Sequence, residues 1–131
     1  MDMKLELVPL PVADIDRAVA FYRDRLGFVL DVDVSPAPGV RFVQLTPPGS
    51  ACSISLSRGA LGMDRMPPGS VHGVHLVVAD IVRARAQLQE AGVDVSEIME
   101  VGGGVRYAGI TDPDGNTLLL QEMAWRTGED F

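Results

Sequence analysis

Residues 11–18 read PVADIDRA, and residues 77–84 read VVADIVRA. The string V-A-D-I-x-R-A is thus written twice, with Val12 and Val78 sixty-six positions apart in a chain of 131 residues. In each copy an aspartate, Asp14 or Asp80, follows an apolar run and precedes an amphipathic stretch. Aspartate at such a junction accepts backbone N–H bonds at a helix start and suits the positive end of the helix dipole. After Asp14, the residues Ile15, Val19, Tyr22 and Leu26 recur at helical spacing before Gly27. After Asp80, Ile81, Ala84, Leu88 and Ala91 do the same before Gly92. The repeat predicts a strand end, an N-cap and a first helical turn, twice.

The segments after the two helices correspond as well. The first half continues with FVLDVDV (28–34), VRFVQLT (40–46) and ACSISLS (51–57), separated by turn-forming SPAPG and PPGS. The second continues with VSEIMEV (95–101), VRYAGIT (105–111) and NTLLLQE (116–122), separated by GGG and DPDG. Each half therefore reads strand–helix–strand–strand–strand. The expected boundaries are a first module at 1–57, a linker at 58–72, a second module at 73–123 and a tail at 124–131. A connection as long as 58–72 is unusual within a compact domain and suits a linker, a lid or both. Neither half is large enough to bury a sufficient core alone, so one domain of two modules is expected.

A net charge of −7 and a pI near 4.6 argue against a nucleic-acid partner, and no basic cluster stands out among the 11 Lys and Arg. No run of about 18 apolar residues is present, so no membrane span is expected. The opening MDMKLELVPLPV mixes acids with apolar residues and does not read as a secretory leader. The single cysteine, Cys52, suits a reducing, cytoplasmic setting and is expected to be a buried small apolar residue. The carboxylate pairs Asp31/Asp33 and Asp112/Asp114 are expected at solvated strand ends and turns.

Two βαβββ units with V-x-D at the helix start, FYRDRLGF at 21–28 and a late DPDGN at 112–116 resemble the vicinal oxygen chelate superfamily. That group includes glyoxalase I, extradiol dioxygenases and bleomycin-resistance proteins. The resemblance spans about Leu5 to Glu122 and implies an α+β fold. In it, an eight-stranded mixed sheet curls around a central cup with the helices outside. Each half leaves one sheet face in need of a partner, so a homodimer is expected, and the long linker allows modules to pair within a chain or be exchanged between chains.

Strand alternation sorts side chains between the helix side and the cup side. Val43, Leu45, Cys52, Ile54, Leu56, Ala108, Ile110, Leu118 and Leu120 fall on the helix side. Leu7, Phe42, Gln44, Ser55, His75, Tyr107, Leu119 and Gln121 fall on the cup side, where Leu5 is also expected. The resemblance implies a His, Glu or Gln metal ligand on each of four cup strands. Those points fall here on Leu7, Ser55, Gly73 and Leu119, none of which suits a divalent ion. A site shifted by two residues would use His75 and Gln121 with Ser55 nearby, but His72 and Glu122 have the opposite parity. No metal or other cofactor is expected. The sequence contains no G-x-S-x-G or H-E-x-x-H, and VGGGV at 101–105 reads as a hairpin turn.

The cup residues are those of a small-molecule pocket, with apolar walls and a few orienting polar groups. Trp125 either stacks on a ligand or anchors the tail, and Met63, Met66 and Met123 are adaptable cover. The reading favoured by the sequence is metal-free binding of a planar, largely apolar small molecule, such as an antibiotic, by a protein of the bleomycin-resistance type. The alternative is a metal-dependent or cofactor-free lyase, isomerase or dioxygenase with displaced site residues. A third reading is a relative whose pocket is filled by Phe42, Tyr107 and Leu119.

Overall fold

The computed structural model describes residues 1–59 and 62–131, without the side chain of Met63. Both aspartates of the repeat cap helices. The Asp14 carboxylate accepts the Arg17 N–H at 3.0 Å, and that of Asp80 accepts the Arg83 N–H at 3.0 Å. They open α1 (Ile15–Val19) and α2 (Ile81–Glu90). The first helix is less regular than its spacing predicts. It widens over Ala20–Arg25, where the Leu26 N–H reaches the Phe21 carbonyl five residues back at 3.1 Å. The wider turn lets the consecutive Phe21 and Tyr22 both be buried, with ring centroids 5.1 Å apart and edge-on. Gly27, at φ +77°, then reverses the chain.

The expected eight strands are present as two four-stranded mixed sheets. One unit comprises Met1–Ser70 with Pro113–Asn116, and the other Val71–Asp112 with Thr117–Phe131. The first holds β1 (Leu7–Pro9), β2 (Val29–Ala37), β3 (Val40–Thr46) and β4 (Ser53–Ser55) in the order β1-β4-β3-β2. The second holds β5 (Val74–Val77), β6 (Met99–Glu100), β7 (Val105–Thr111) and β8 (Thr117–Met123) in the order β5-β8-β7-β6. In each unit the strand before the helix runs parallel to the last strand, and the remaining pairs are antiparallel.

The helix-side parity is reproduced in burial. Val43, Leu45, Ile54 and Leu56 are buried in the first unit, as are Ile15, Ala18, Val19 and Tyr22 of its helix. Ala108, Ile110, Leu118 and Leu120 are buried in the second, with Ile81, Val93 and Val95. Leu5, by contrast, lies before β1 and is exposed.

Two strands are shorter than expected. β4 begins only at Ser53, because Ser50 Oγ accepts the Cys52 N–H at 3.1 Å and donates to the Cys52 carbonyl at 2.7 Å, holding the chain in a turn. Cys52 is consequently half-buried rather than part of the core. β6 is cut short because Ser96 meets Gly109 through a side chain. Its hydroxyl accepts the Gly109 N–H at 2.7 Å, while its own N–H donates to the Gly109 carbonyl at 2.9 Å.

A bulge in β2 decides which residues face away from the helix. Leu30 pairs with Leu45 and Val32 with Gln44, so Asp31 and Val32 together oppose one residue of β3. Beyond the bulge, Asp33 pairs with Val43 on the helix side and Val34 with Phe42 on the other. Arg41 there bonds Asp33 at 2.9 Å and Asp16 of α1 at 2.8 Å. Its hydrogen bond holds the Asp33 carboxyl below the usual aspartate range.

Asp31 and Asp33 are exposed, as expected, but the aspartates of the DPDG turn are not. Asp112 is buried. Asp114 accepts the Ala13 N–H at 3.1 Å and an Arg17 N–H at 2.9 Å, with its side chain 4% exposed. Asn116 donates to the Pro11 carbonyl at 2.8 Å. These partners lie some hundred positions away, beyond any local pattern.

Among its described residues, the 58–72 stretch contains a helical turn at Met63–Arg65, and the Asp64 carboxylate accepts the Gly59 N–H at 3.0 Å. Ala60 and Leu61 lie outside the described residues. A Cβ on Gly59 would lie 2.2 Å from the Gly39 carbonyl oxygen, and one on Gly69 2.1 Å from that of Asp114. The backbones touch at both points. Among the described residues, no helix is long and apolar enough to cross a membrane.

In the second unit, Glu122 ties the helix to the sheet. One carboxylate oxygen accepts the Ile81 N–H at 2.8 Å, and the other accepts Arg106 at 2.6 Å. The Ile81 N–H, with Arg106 adding to it, depresses the Glu122 pKa below its ordinary 4.5. A depressed folded value gives stability that is present above the ordinary value and lost as pH falls through the folded one. Glu122→Gln should therefore cost about 1–2 kcal/mol in urea unfolding at neutral pH. The gap from the parent should close as the buffer is acidified from the ordinary 4.5 through the lower folded value. A gap independent of pH would show that the charge contributes nothing.

Candidate functional site

The second unit brings His75, Tyr107, Leu119 and Gln121 together on the face turned away from Ala108, Leu118 and Leu120. His75 is in register with Leu119, Leu119 with Gly109, and Gln121 with Tyr107. His75 Nδ1 lies 2.6 Å from the Gly73 carbonyl oxygen. A carbonyl can only accept, so Nδ1 carries the proton and Nε2 of the neutral ring is an acceptor. The imidazole stands edge-on to Tyr107 at 5.5 Å and 90°. Gln121 donates its amide N–H to the Tyr107 hydroxyl at 3.2 Å, leaving that hydroxyl its own proton to donate.

This cluster offers one aromatic face, one aliphatic side chain and a short alternation of donors and acceptors. Gly109 adds no bulk between Tyr107 and Thr111 on its strand, and a Cβ there would sit 3.9 Å from Leu119 Cδ2 and 3.6 Å from Ser96 Oγ. Trp125 does not join the cluster. It lies past β8, 61% exposed, close to Gly104, and among the described residues its ring pairs with no other aromatic. Met123 is half-buried at the end of β8. Met66 lines a shallow cleft in the first unit with Pro9, Ser55 and Ser57, and the side chain of Met63 lies outside what is described.

Leu7, Phe42, Gln44 and Ser55 occupy the helix-free face of the first unit. Gln44 and Ser55 are in register but bond elsewhere. Ser55 Oγ is 2.6 Å from Ser57 Oγ, and Gln44 donates to Ser53 Oγ at 3.1 Å. Ser53 Oγ in turn lies 2.6 Å from Thr46 Oγ1, and Thr46 donates to the Asp31 carboxylate. Asp31 and Thr46 are therefore site-facing residues that no sequence motif singled out. Parity alone would have placed Thr46 beside Gln44. The bulge hid Asp31.

The donor set does not fit the metal that the fold implies. Its four ligand points carry Leu7, Ser55, Gly73 and Leu119. Glu122, which a shifted site would need, is held on the helix side by Ile81 and Arg106. His72 is exposed, with Nδ1 3.4 Å from Thr117 Oγ1. Among the described residues, no three His, Cys, Asp or Glu side chains are placed to hold an ion.

The sheets, caps and register define a vicinal oxygen chelate fold, and residues 4–120 match the Glyoxalase/Bleomycin resistance protein/Dioxygenase superfamily. The chain belongs to that family. Among solved structures it is similar to TnmS3, an antibiotic binding protein from Streptomyces sp. CB03234, at 34% identity and a TM-score of 0.81, covering 94% of this chain and 98% of that one. It is also similar to a glyoxalase/bleomycin resistance protein from the same organism, at 36% identity and a TM-score of 0.75, covering 89% and 98%. A curated relative is the ethylmalonyl-CoA/methylmalonyl-CoA epimerase of Cereibacter sphaeroides, 32% identical over 70% of this chain and 73% of its own length.

The tautomer assigned to His75 is directly measurable. Two-bond 1H–15N correlation spectra of the neutral ring should show the Nδ1–H form, and an Nε2–H pattern would contradict the Gly73 contact.

Proposed function

We propose that this chain is a metal-free binding protein for a planar, largely apolar small molecule, of which an antibiotic held by sequestration is the leading case. The observation that carries the reading is the His75–Tyr107–Gln121–Leu119 cluster, set where the metal points have become glycine and leucine. Tyr107 and Leu119 supply flat apolar contact. His75 Nε2, the Tyr107 hydroxyl and the Gln121 amide orient polar atoms on the ligand's rim. The likeness to an antibiotic binding protein at 34% identity supports it. In this reading Phe42, Gln44, Ser55, Leu7 and Trp125 belong to the same binding function, and the protein acts in the cytoplasm as a homodimer, with modules paired within a chain or exchanged.

The epimerase relative favours a second reading, an isomerase or lyase using His75 as base. Metal content and ligand binding separate the two. Zn, Fe, Mn, Co and Ni should all be far below one per chain in purified protein. A planar aromatic antibiotic should change the Trp125 or tyrosine fluorescence. Tyr107→Ala should then weaken binding by about 1–3 kcal/mol, and His75→Ala by about 1 kcal/mol. A metal near one per chain that is lost in His75→Ala would overturn the binding reading in favour of the enzyme.

A further inference from the structure

We infer that Asp31 and Gln44 form a subsite that selects ligands carrying an ammonium group on a short arm. The inference rests on the binding role proposed above and adds to it the charge of the ligand. It follows from the direction of one hydrogen-bond chain in the first unit. Thr46 donates its single hydroxyl proton to the Asp31 carboxylate, which as an anion can only accept. The 2.6 Å contact between Thr46 Oγ1 and Ser53 Oγ must then use the Ser53 proton. Ser53 has no second proton, so Gln44 must present its N–H at the 3.1 Å contact. The reverse amide orientation would leave one of these contacts without a hydrogen. The chain therefore runs Gln44 to Ser53 to Thr46 to Asp31, every donor aimed at the carboxylate.

The Asp31 end of this chain is an acceptor, and the Gln44 end carries an acceptor oxygen beside its remaining N–H. Among the described residues, neither Oδ1 of Asp31 nor Oε1 of Gln44 has a hydrogen-bond partner. The internal donors are consumed, with Ser53 only 5% exposed. What remains to a ligand is a carboxylate oxygen, an amide oxygen and the second N–H of the Gln44 amide on the same face, and the carboxylate among them calls for a donor with positive charge. The bulge makes the arrangement possible, because it puts Asp31 and Val32 side by side opposite Gln44.

Apolar surface adjoins these acceptors. Val32 and Val34 are 38% and 50% exposed, and Val34 is in register with Phe42. Residues two apart on a strand are separated by roughly 7 Å, so a flat body over Val34 and Phe42 reaches Asp31 and Gln44 through an arm of about two or three carbons. An anionic arm would meet like charge on a chain that already carries −7.

Three naphthalimide fluorophores, bearing an aminoethyl, a hydroxyethyl or a carboxymethyl arm, test this on the full-length chain by fluorescence anisotropy. The aminoethyl probe should bind about tenfold tighter than the hydroxyethyl probe, with the carboxymethyl probe weakest. The preference should shrink at high salt. Asp31→Asn should reduce the amino-over-hydroxyl ratio to about one, and Asp31→Glu should restore much of it. Equal binding of all three probes would overturn this subsite while leaving the pocket intact. So would a ratio that survives in Asp31→Asn. No binding by any probe would overturn the subsite together with the binding role.

Discussion

A four-stranded sheet has two faces, and each unit of this chain supplies one helix. That constraint organises everything else. The face that receives the helix is aliphatic throughout, with Val43, Leu45, Ile54 and Leu56 in one unit and Ala108, Ile110, Leu118 and Leu120 in the other. Two of the charged groups there tie helix to sheet. Glu122 caps α2 and binds Arg106, and Arg41 links β2 and β3 to α1. The opposite face keeps half-buried aromatics and leucines among single polar groups, each already aimed by a neighbour. In the binding role proposed above, such a surface orients a guest by dipoles set in advance, at little further ordering cost.

The same face lacks the ligand set that the family's metal chemistry implies. The metal ligands implied by the family are His, Glu or Gln at fixed points on four strands. Here Leu7, Ser55, Gly73 and Leu119 stand there, and Gly73 instead uses its carbonyl to hold His75. The imidazole is thereby fixed in one tautomer and turned edge-on to Tyr107, a geometry suited to accepting a hydrogen bond. The first unit offers acceptors too, from Asp31 and Gln44.

The repeated V-A-D-I-x-R-A string was enough to locate both N-caps, and VRFVQLT and VRYAGIT match β3 and β7 residue for residue. Both signals are local, a cap followed by a turn or an alternation over seven residues. What escaped the sequence was register and range. The extra residue at Asp31 depends on how β2 lies against β3, which nothing in LDVDV discloses. The widening after Val19 depends on burying two adjacent rings, and the short β6 on one serine hydroxyl reaching Gly109. Asp114 looked like an ordinary turn residue because its partners, Ala13 and Arg17, lie at the other end of the chain. Within the site, the residues on β5, β7 and β8 were legible from parity. Asp31 was not, and Trp125, expected either to stack on a ligand or to anchor the tail, stands exposed beyond β8.

Gly59 and Gly69 bound most of the long connection after β4, each at positive φ with its Cα against another segment's carbonyl. Their spacing changes what evolution can alter. Sequence drift is cheapest where side chains reach solvent, and surface loops usually drift along their whole length. This one has two fixed stitches, since any side chain at either glycine would drive backbone apart from backbone. Relatives can be expected to vary freely in the length and composition of the stretch between the stitches. At the stitches themselves, glycine should persist even where nothing nearby binds or reacts.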